Sequence, residues 1–274
     1  MSEQTEREAI LREIAKKKVV YRVPGMETLR VRRNLMYRST SGSGLFMDVY
    51  YPSSQPGRRA PVVLAPLAYP DPEARVRMYG PLTSWAQLIA ASGMAAVLYG
   101  TESPEEDVHA VLRHLRADAD ALDLEMDSLG LFAASGNVTV ALSALIRDRH
   151  MKCAVLLYGY TMDLDGSMAV AEMGRQYGFV NACAGKSVND LPGDVPMLLV
   201  RAGRDQFPGL NEALDKLIAQ ALARNLPFTL INYATGSHGF DLDEDTAMSR
   251  GIVQQVLAFL RLHLDPTVLI KRDT

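Results

Sequence analysis

The sequence predicts an α/β architecture: a mostly parallel, doubly wound sheet with helices on both faces. Three observations carry this expectation. Short, unbroken apolar runs recur at 62–65, 95–99, 129–134, 154–158 and 197–200, and amphipathic stretches of helical period separate them. A strand buried on both faces needs apolar side chains at every position, which is the habit of parallel sheets covered by crossover helices. The 274 residues, 48% of them hydrophobic, supply one large domain with a real core and exclude disordered or collagen-like chains.

Taken in order, residues 4–18 read as a helix, with Ile10, Leu11 and Ile14 on one side and charges elsewhere. Pro24-Gly25 closes this leader. Residues 29–37 and 45–50 read as strands, and the Ser-Thr-Ser-Gly-Ser-Gly between them as the loop of a hairpin, which makes the sheet mixed. Asp48 interrupts the apolar alternation of the second strand. The run at 62–65 leads into a proline-rich loop at 66–72; residues 82–91 read as helix, ended by Gly93, and 95–99 as the next strand. Ser103-Pro104-Glu105-Glu106 has the form of a helix start, with serine as cap and glutamate three beyond it. Val108, Val111, Leu112 and Leu115 continue one apolar face. Strand 129–134 runs into a helix after Ser135. Strand 197–200 is followed by helix 211–223, strand 228–231 and a terminal helix at 252–264. Residues 159–194, rich in Gly, Asp, Asn and Met, break the rhythm and read as a small cap or lid insertion. The expected organisation is a helical extension at 1–28 and an α/β domain at 29–274 that contains this insertion.

Charge excludes several classes. With 29 Lys plus Arg against 32 Asp plus Glu, the net charge of -3 offers no general attraction to nucleic acid or anionic membrane. Two cysteines, Cys153 and Cys183, are too few for a disulfide framework or a cysteine zinc site. The leader has no apolar signal core, and no run of about eighteen apolar residues exists, so a cytoplasmic protein is expected.

The chemistry concentrates at three strand ends. In Leu129-Gly130-Leu131-Phe132-Ala133-Ala134-Ser135-Gly136-Asn137, an apolar strand enters a corner of small residues and a helix follows at once. A serine there is lifted off the sheet beside the outward-pointing N–H groups of the helix start. The pentapeptide Ala133-Ala134-Ser135-Gly136-Asn137 departs from Gly-x-Ser-x-Gly at both outer positions. Val200-Arg201-Ala202-Gly203-Arg204-Asp205 places an acid after a second strand, and Gly236-Ser237-His238-Gly239-Phe240 places a histidine in a loop after the last one. The order is serine, aspartate, histidine, 70 and 33 residues apart. In a parallel sheet all three loops converge at the carboxyl ends of the strands. Histidine then takes the serine proton, and aspartate fixes the imidazole tautomer.

On the strings LGLFAASGN, VPMLLVRAGRD and GSHGFD, the chain resembles the α/β-hydrolases, in particular the dienelactone-hydrolase-like and small serine carboxylesterase branch, over most of residues 40–264. The resemblance implies an α/β-hydrolase fold and a triad of Ser135, Asp205 and His238. Dienelactone hydrolases typically carry cysteine at the elbow, so serine here favours a serine esterase. The family's oxyanion loop usually begins His-Gly. Its counterpart here is Pro66-Leu67-Ala68-Tyr69, which retains neither residue. Expected oxyanion donors are therefore Gly136 N–H and a group from Ala68 or Tyr69. Leu67, Tyr158, Tyr160, Met162 and Phe240 are candidates for the pocket wall.

Competing assignments are weaker. Asp241, Asp243, Asp163 and Asp165 lack the strand-end position of Asp205, while His109, His114, His150 and His263 fall on predicted helices or their ends. Cys153 reads as a small core residue and Cys183 as part of the irregular segment, open to exposure. No Gly-x-Gly-x-x-Gly follows an early strand, no Walker loop is present, and no His-Glu-x-x-His or other compact ligand pair occurs. The expectation is a cofactor-free, metal-free hydrolase of small-molecule esters, either monomer or homodimer, with no nucleic-acid or membrane partner. The alternatives are a non-catalytic binding protein of the same fold, or a lactone, thioester or amide hydrolase using the same triad.

Overall fold

The computed structural model describes residues 13–39, 44–53, 59–71 and 76–265. Among them, eight strands form one sheet: β1 (Val31–Ser39), β2 (Gly44–Tyr50), β3 (Ala60–Leu64), β4 (Ala95–Tyr99), β5 (Leu124–Ala134), β6 (Met151–Leu157), β7 (Met197–Ala202) and β8 (Phe228–Tyr233). Their spatial order is β1-β2-β4-β3-β5-β6-β7-β8. The first two strands pair antiparallel, as does β2 with β4, and every remaining pair is parallel. The sheet is thus mixed at one edge and parallel through the part that carries the site. Most of the predicted leader helix and the loop of the first hairpin lie outside the described residues; residues 13–16 are helical.

The continuous apolar runs have the cause inferred from sequence. In β3, Val62 and Leu64 enter the core on one face, with α2 (Pro104–Ala117), α3 (Val138–Arg147) and α5 (Leu210–Ala223). Val63 enters the core on the other, with α1 (Gly80–Ala91) and α6 (Ala247–Leu264). Successive strand residues point to opposite faces, so a sheet covered on both sides leaves no position for a polar residue.

Three local features depart from the expectations. Strand β5 begins at Leu124, five residues before the apolar run, because its first part pairs with β3 at the half-exposed rim. Asp48 is buried where alternation asks for an apolar residue. It accepts the Asn34 N–H at 2.8 Å and ion-pairs with Arg77, which is also buried, so its charge is compensated. Ser103 does not cap α2 with its side chain. The buried carboxylate of Asp107 instead holds the turn that leads into the helix, accepting the Thr101 hydroxyl and the N–H groups of Glu102 and Ser103 at 2.8–2.9 Å.

Residues 159–194 connect β6 to β7 and contain α4 (Ala169–Tyr177) and a helical turn at Val188–Asp190. Asp163 organises this excursion by accepting the N–H groups of Val170 and Ala171 and the side-chain amide of Asn181. The segment reaches the carboxyl end of β3, where Val180 N–H donates to Ala68 O at 2.8 Å.

Candidate active site

The sheet register sets up the site. Ala134 at the end of β5 lies beside Leu157 of β6, Leu157 beside Val200 of β7, and Ala202 beside Tyr233 of β8. The loops that leave these strands are therefore neighbours, although they are far apart in sequence. Gly203 N–H and Gly236 N–H both donate to Tyr233 O, and Arg204 N–H donates to Gly236 O at 2.9 Å, which binds the acid loop to the histidine loop.

Ser135 sits at the corner between β5 and α3 with φ +57°, in the left-handed region. For a residue with a Cβ this costs about 1–2 kcal/mol. The turn has to reverse within one residue, and close packing around it keeps that conformation in place. Gly136 follows with its N–H at the start of the helical turn. A Cβ on Gly136 would meet Tyr69 Oη at 2.7 Å and the Phe179 ring at 2.9 Å. Gly159, two residues beyond β6, supports the same corner, since a Cβ there would lie 2.1 Å from Val138 Cγ2. Val138 opens α3, so Gly159→Ala is expected to push that helix start and the Ser135 turn apart. The cost should be about 1–3 kcal/mol, read as a lower Tm in thermal denaturation.

His238 is brought between the other two side chains. Its Nε2 lies 3.0 Å from Ser135 Oγ, and its Nδ1 lies 2.6 Å from Asp205 Oδ2. The Asp205 side chain has no exposed surface and that of His238 is 15% exposed. The second Asp205 oxygen, Oδ1, accepts the Phe207 N–H at 3.0 Å, which leaves Oδ2 aimed at the imidazole. The histidine loop is anchored next door: Ser237 donates its N–H and its hydroxyl to Glu244. Burial works against the Glu244 charge, but these bonds and the Tyr233 hydroxyl outweigh it and hold the carboxyl below its ordinary range.

The 66–69 loop differs from expectation at Ala68. Its N–H already donates to Asn137 Oδ1 at 2.8 Å, so the loop spends that donor on holding itself against the elbow. Asn137, at the last position of the elbow pentapeptide, has this role in place of a glycine. Tyr69 instead extends its side chain over Gly136 and packs edge-on against Phe179, with ring centroids 6.2 Å apart.

Of the five residues expected on the pocket wall, Leu67, Met162 and Phe240 have no exposed surface, and Tyr158 and Tyr160 are nearly as buried. They pack as core beneath the site. The half-buried rings that surround the triad are Tyr69, Tyr177 and Phe207. Phe207 lies 4.4 Å from the His238 ring, and Tyr177 packs edge-on against Phe207 at 5.3 Å. Tyr177 and Phe207 were missed from sequence; the one available signal was Phe207, two residues after the acid. Of the two readings left open for Cys183, the buried one holds, and its thiol donates to Thr139 O. Burial pushes both cysteine thiols up to about 12, far from a reactive thiolate.

Several of the other acids and histidines have partners outside the triad. Asp243 pairs with Lys17, Asp165 accepts the Gln220 amide, and His114 pairs with Asp118. His263 packs on Phe259. Among the described residues, no group of three or more His, Cys, Asp or Glu is placed to hold a metal ion, and no helix is long and apolar enough to cross a membrane.

No protein-family model matches the chain, and no curated protein matches it by sequence. Solved structures do resemble it. A fungal esterase from Rhizomucor miehei matches with 14% identity, covering 96% of this chain and 91% of that one, at a TM-score of 0.66. A thermophilic and thermostable carboxylesterase cloned from a metagenomic library matches with 16% identity, over 97% and 99% of the two chains, at a TM-score of 0.68. An esterase from Pyrobaculum calidifontis matches with 18% identity, over 95% and 93%, at 0.65. At these identities the likeness concerns architecture, and the architecture is the α/β-hydrolase fold.

Proposed function

We propose that this protein is a serine hydrolase of small carboxylic esters, with Ser135 as nucleophile, His238 as general base and Asp205 as the residue that orients the base and stabilises its charged form. One observation carries the proposal: a serine held at φ +57° lies 3.0 Å from His238 Nε2, while a buried carboxylate lies 2.6 Å from Nδ1 of the same ring. Similarity of fold to three esterases is compatible with this reading but supplies no residue.

His238 takes the Ser135 proton as Oγ attacks the ester carbonyl. The tetrahedral intermediate carries its negative charge on the former carbonyl oxygen. Collapse returns the proton from His238 to the departing alcohol and leaves an acyl-enzyme. A water activated by the same nitrogen then releases the acid and restores the serine. Gly136 N–H is the first oxyanion donor. We assign the second to the Tyr69 hydroxyl, which stands over Gly136, in preference to the Ala68 N–H committed to Asn137. Losing one such donor costs about 10²- to 10³-fold in kcat. Tyr69→Phe is therefore expected to lower kcat by that factor with little change in KM. An unchanged kcat removes the phenol from the mechanism and returns the role to a backbone donor of the loop.

The uncharged aromatic rim of Tyr69, Tyr177 and Phe207 fits a neutral acyl or alcohol group of modest size. The direct test is a fluorophosphonate label followed by peptide mapping. Modification confined to Ser135 in the folded protein, together with turnover across a panel of short esters, supports the enzyme. Absence of both supports a binding protein on the same fold. Measuring kcat/KM for matched lactones, thioesters and amides ranks the ester reading against its nearest chemical rivals; amide turnover with negligible ester turnover overturns it.

A further inference from the structure

Asp241 lies three residues beyond His238, has no exposed surface and is not part of the triad. Its carboxylate joins two elements that are distant in sequence. Trp85 of α1 donates its indole N–H to Oδ2 at 2.7 Å, and the Tyr158 hydroxyl, at the end of β6, donates to Oδ1. The indole nitrogen can only donate, and with both oxygens accepting, the ionised carboxylate is the form these contacts fit. The Asp241 carbonyl accepts the Val20 N–H at 2.8 Å, and the neighbouring Val19 N–H donates to Ser84 Oγ, so the segment before β1 is fastened to the same joint.

What Asp241 holds matters for the base. Tyr158 is nearly buried, with φ +32°, and its N–H donates to Val200 O at 2.7 Å. Its ring meets the His238 ring edge-on, with centroids 4.8 Å apart. Phe207 covers another part of the imidazole at 4.4 Å. We infer that Asp241 is a positioning residue for His238: it fixes Tyr158 against the imidazole and, as a second buried carboxylate, adds to the field that stabilises the imidazolium formed when Ser135 gives up its proton. This rests on the triad proposed above.

Other charges near His238 are accounted for. Asp205 meets Nδ1 directly, Glu244 is occupied by Ser237 and Tyr233, Asp243 pairs with Lys17, and Arg204 lies on the acid loop toward Glu244. Asp241 is thus the remaining buried carboxylate, linked to the imidazole through Tyr158. Burial raises its carboxyl above the ordinary range, and the Tyr158 and Trp85 bonds offset only part of that.

The test uses the full chain and p-nitrophenyl acetate, with active sites counted by fluorophosphonate labelling. Asp241→Asn should lower kcat about tenfold with KM nearly unchanged. Removing a buried negative charge from the site disfavours formation of the imidazolium, so the acid limb of kcat/KM should move to lower pH. Tyr158→Phe should lower kcat by a smaller factor. Combined with Asp241→Asn, it should add little, since the two act through one contact. An Asp241→Asn protein with unchanged kcat and acid limb, altered only in Tm, overturns the inference. Should that variant fail to fold, an unchanged kcat in Tyr158→Phe overturns it equally. Loss of Ser135 labelling in the wild-type protein would instead overturn the triad and this inference with it, so the two failures are distinguishable.

Discussion

Ser135→Ala is expected to reduce kcat/KM by on the order of 10⁶-fold, the scale seen when a serine nucleophile is removed from a working triad. Alanine keeps the Cβ and therefore the strained corner, so the backbone at φ +57° and the neighbouring Gly136 N–H should stay in place. The hydroxyl is the only group lost. Circular dichroism matching wild type, with no fluorophosphonate adduct on the 135 peptide, separates chemical loss from unfolding. Near-wild-type kcat/KM in a folded Ser135→Ala protein would rule out Ser135 as the nucleophile.

The second large effect is expected from Asp205→Asn, and the geometry explains why an isosteric change should be so severe. Oδ1 accepts the Phe207 N–H at 3.0 Å, so the oxygen of an asparagine would stay there. Its NH₂ group would then face His238 Nδ1, where the carboxylate oxygen now lies at 2.6 Å. A donor at that place forces Nδ1 to accept and puts the ring proton on Nε2, pointing at Ser135 Oγ. The base would present a proton where it needs a lone pair, and the imidazolium would lose its buried counter-charge. The expected loss in kcat is about 10⁴-fold. The comparison with Asp241→Asn is informative because both remove a buried charge near the same ring. Only Asp205→Asn changes the tautomer, so its loss should exceed the other by orders of magnitude. Equal losses would argue that charge alone matters and would reject the tautomer account.

Much of this was legible in the sequence, for a definite reason. Continuous apolar strands and amphipathic helices are local consequences of burial on two faces, so the period of the sequence reports the layers of the fold. The strand ends were legible too, and with them the order of Ser135, Asp205 and His238, because parallel connectivity sends successive loops to one edge of the sheet. The helix caps were less so. Ser103 has the right residue type for a cap, yet its side chain makes no cap bond, and Asp107, four residues on, holds the turn before the helix.

What only the tertiary structure decided are the contacts between loops distant in sequence. No local pattern shows that Asn137 consumes the Ala68 N–H, that Tyr69 stands over Gly136, or that Phe207 and Tyr158 meet the His238 ring. The same holds for Leu67, Met162 and Phe240, whose apolar character fits a pocket wall and a core equally well and which are buried in the core. Asp48 and Asp241 show the limit most clearly. A carboxylate read from sequence belongs on the surface by the cost of burying its charge. That cost is met here by Arg77 in one case, and by Trp85 and Tyr158 in the other. Residue type sets what a side chain needs; the partners that meet the need come from elements tens of residues away, and only folding brings them within hydrogen-bond reach.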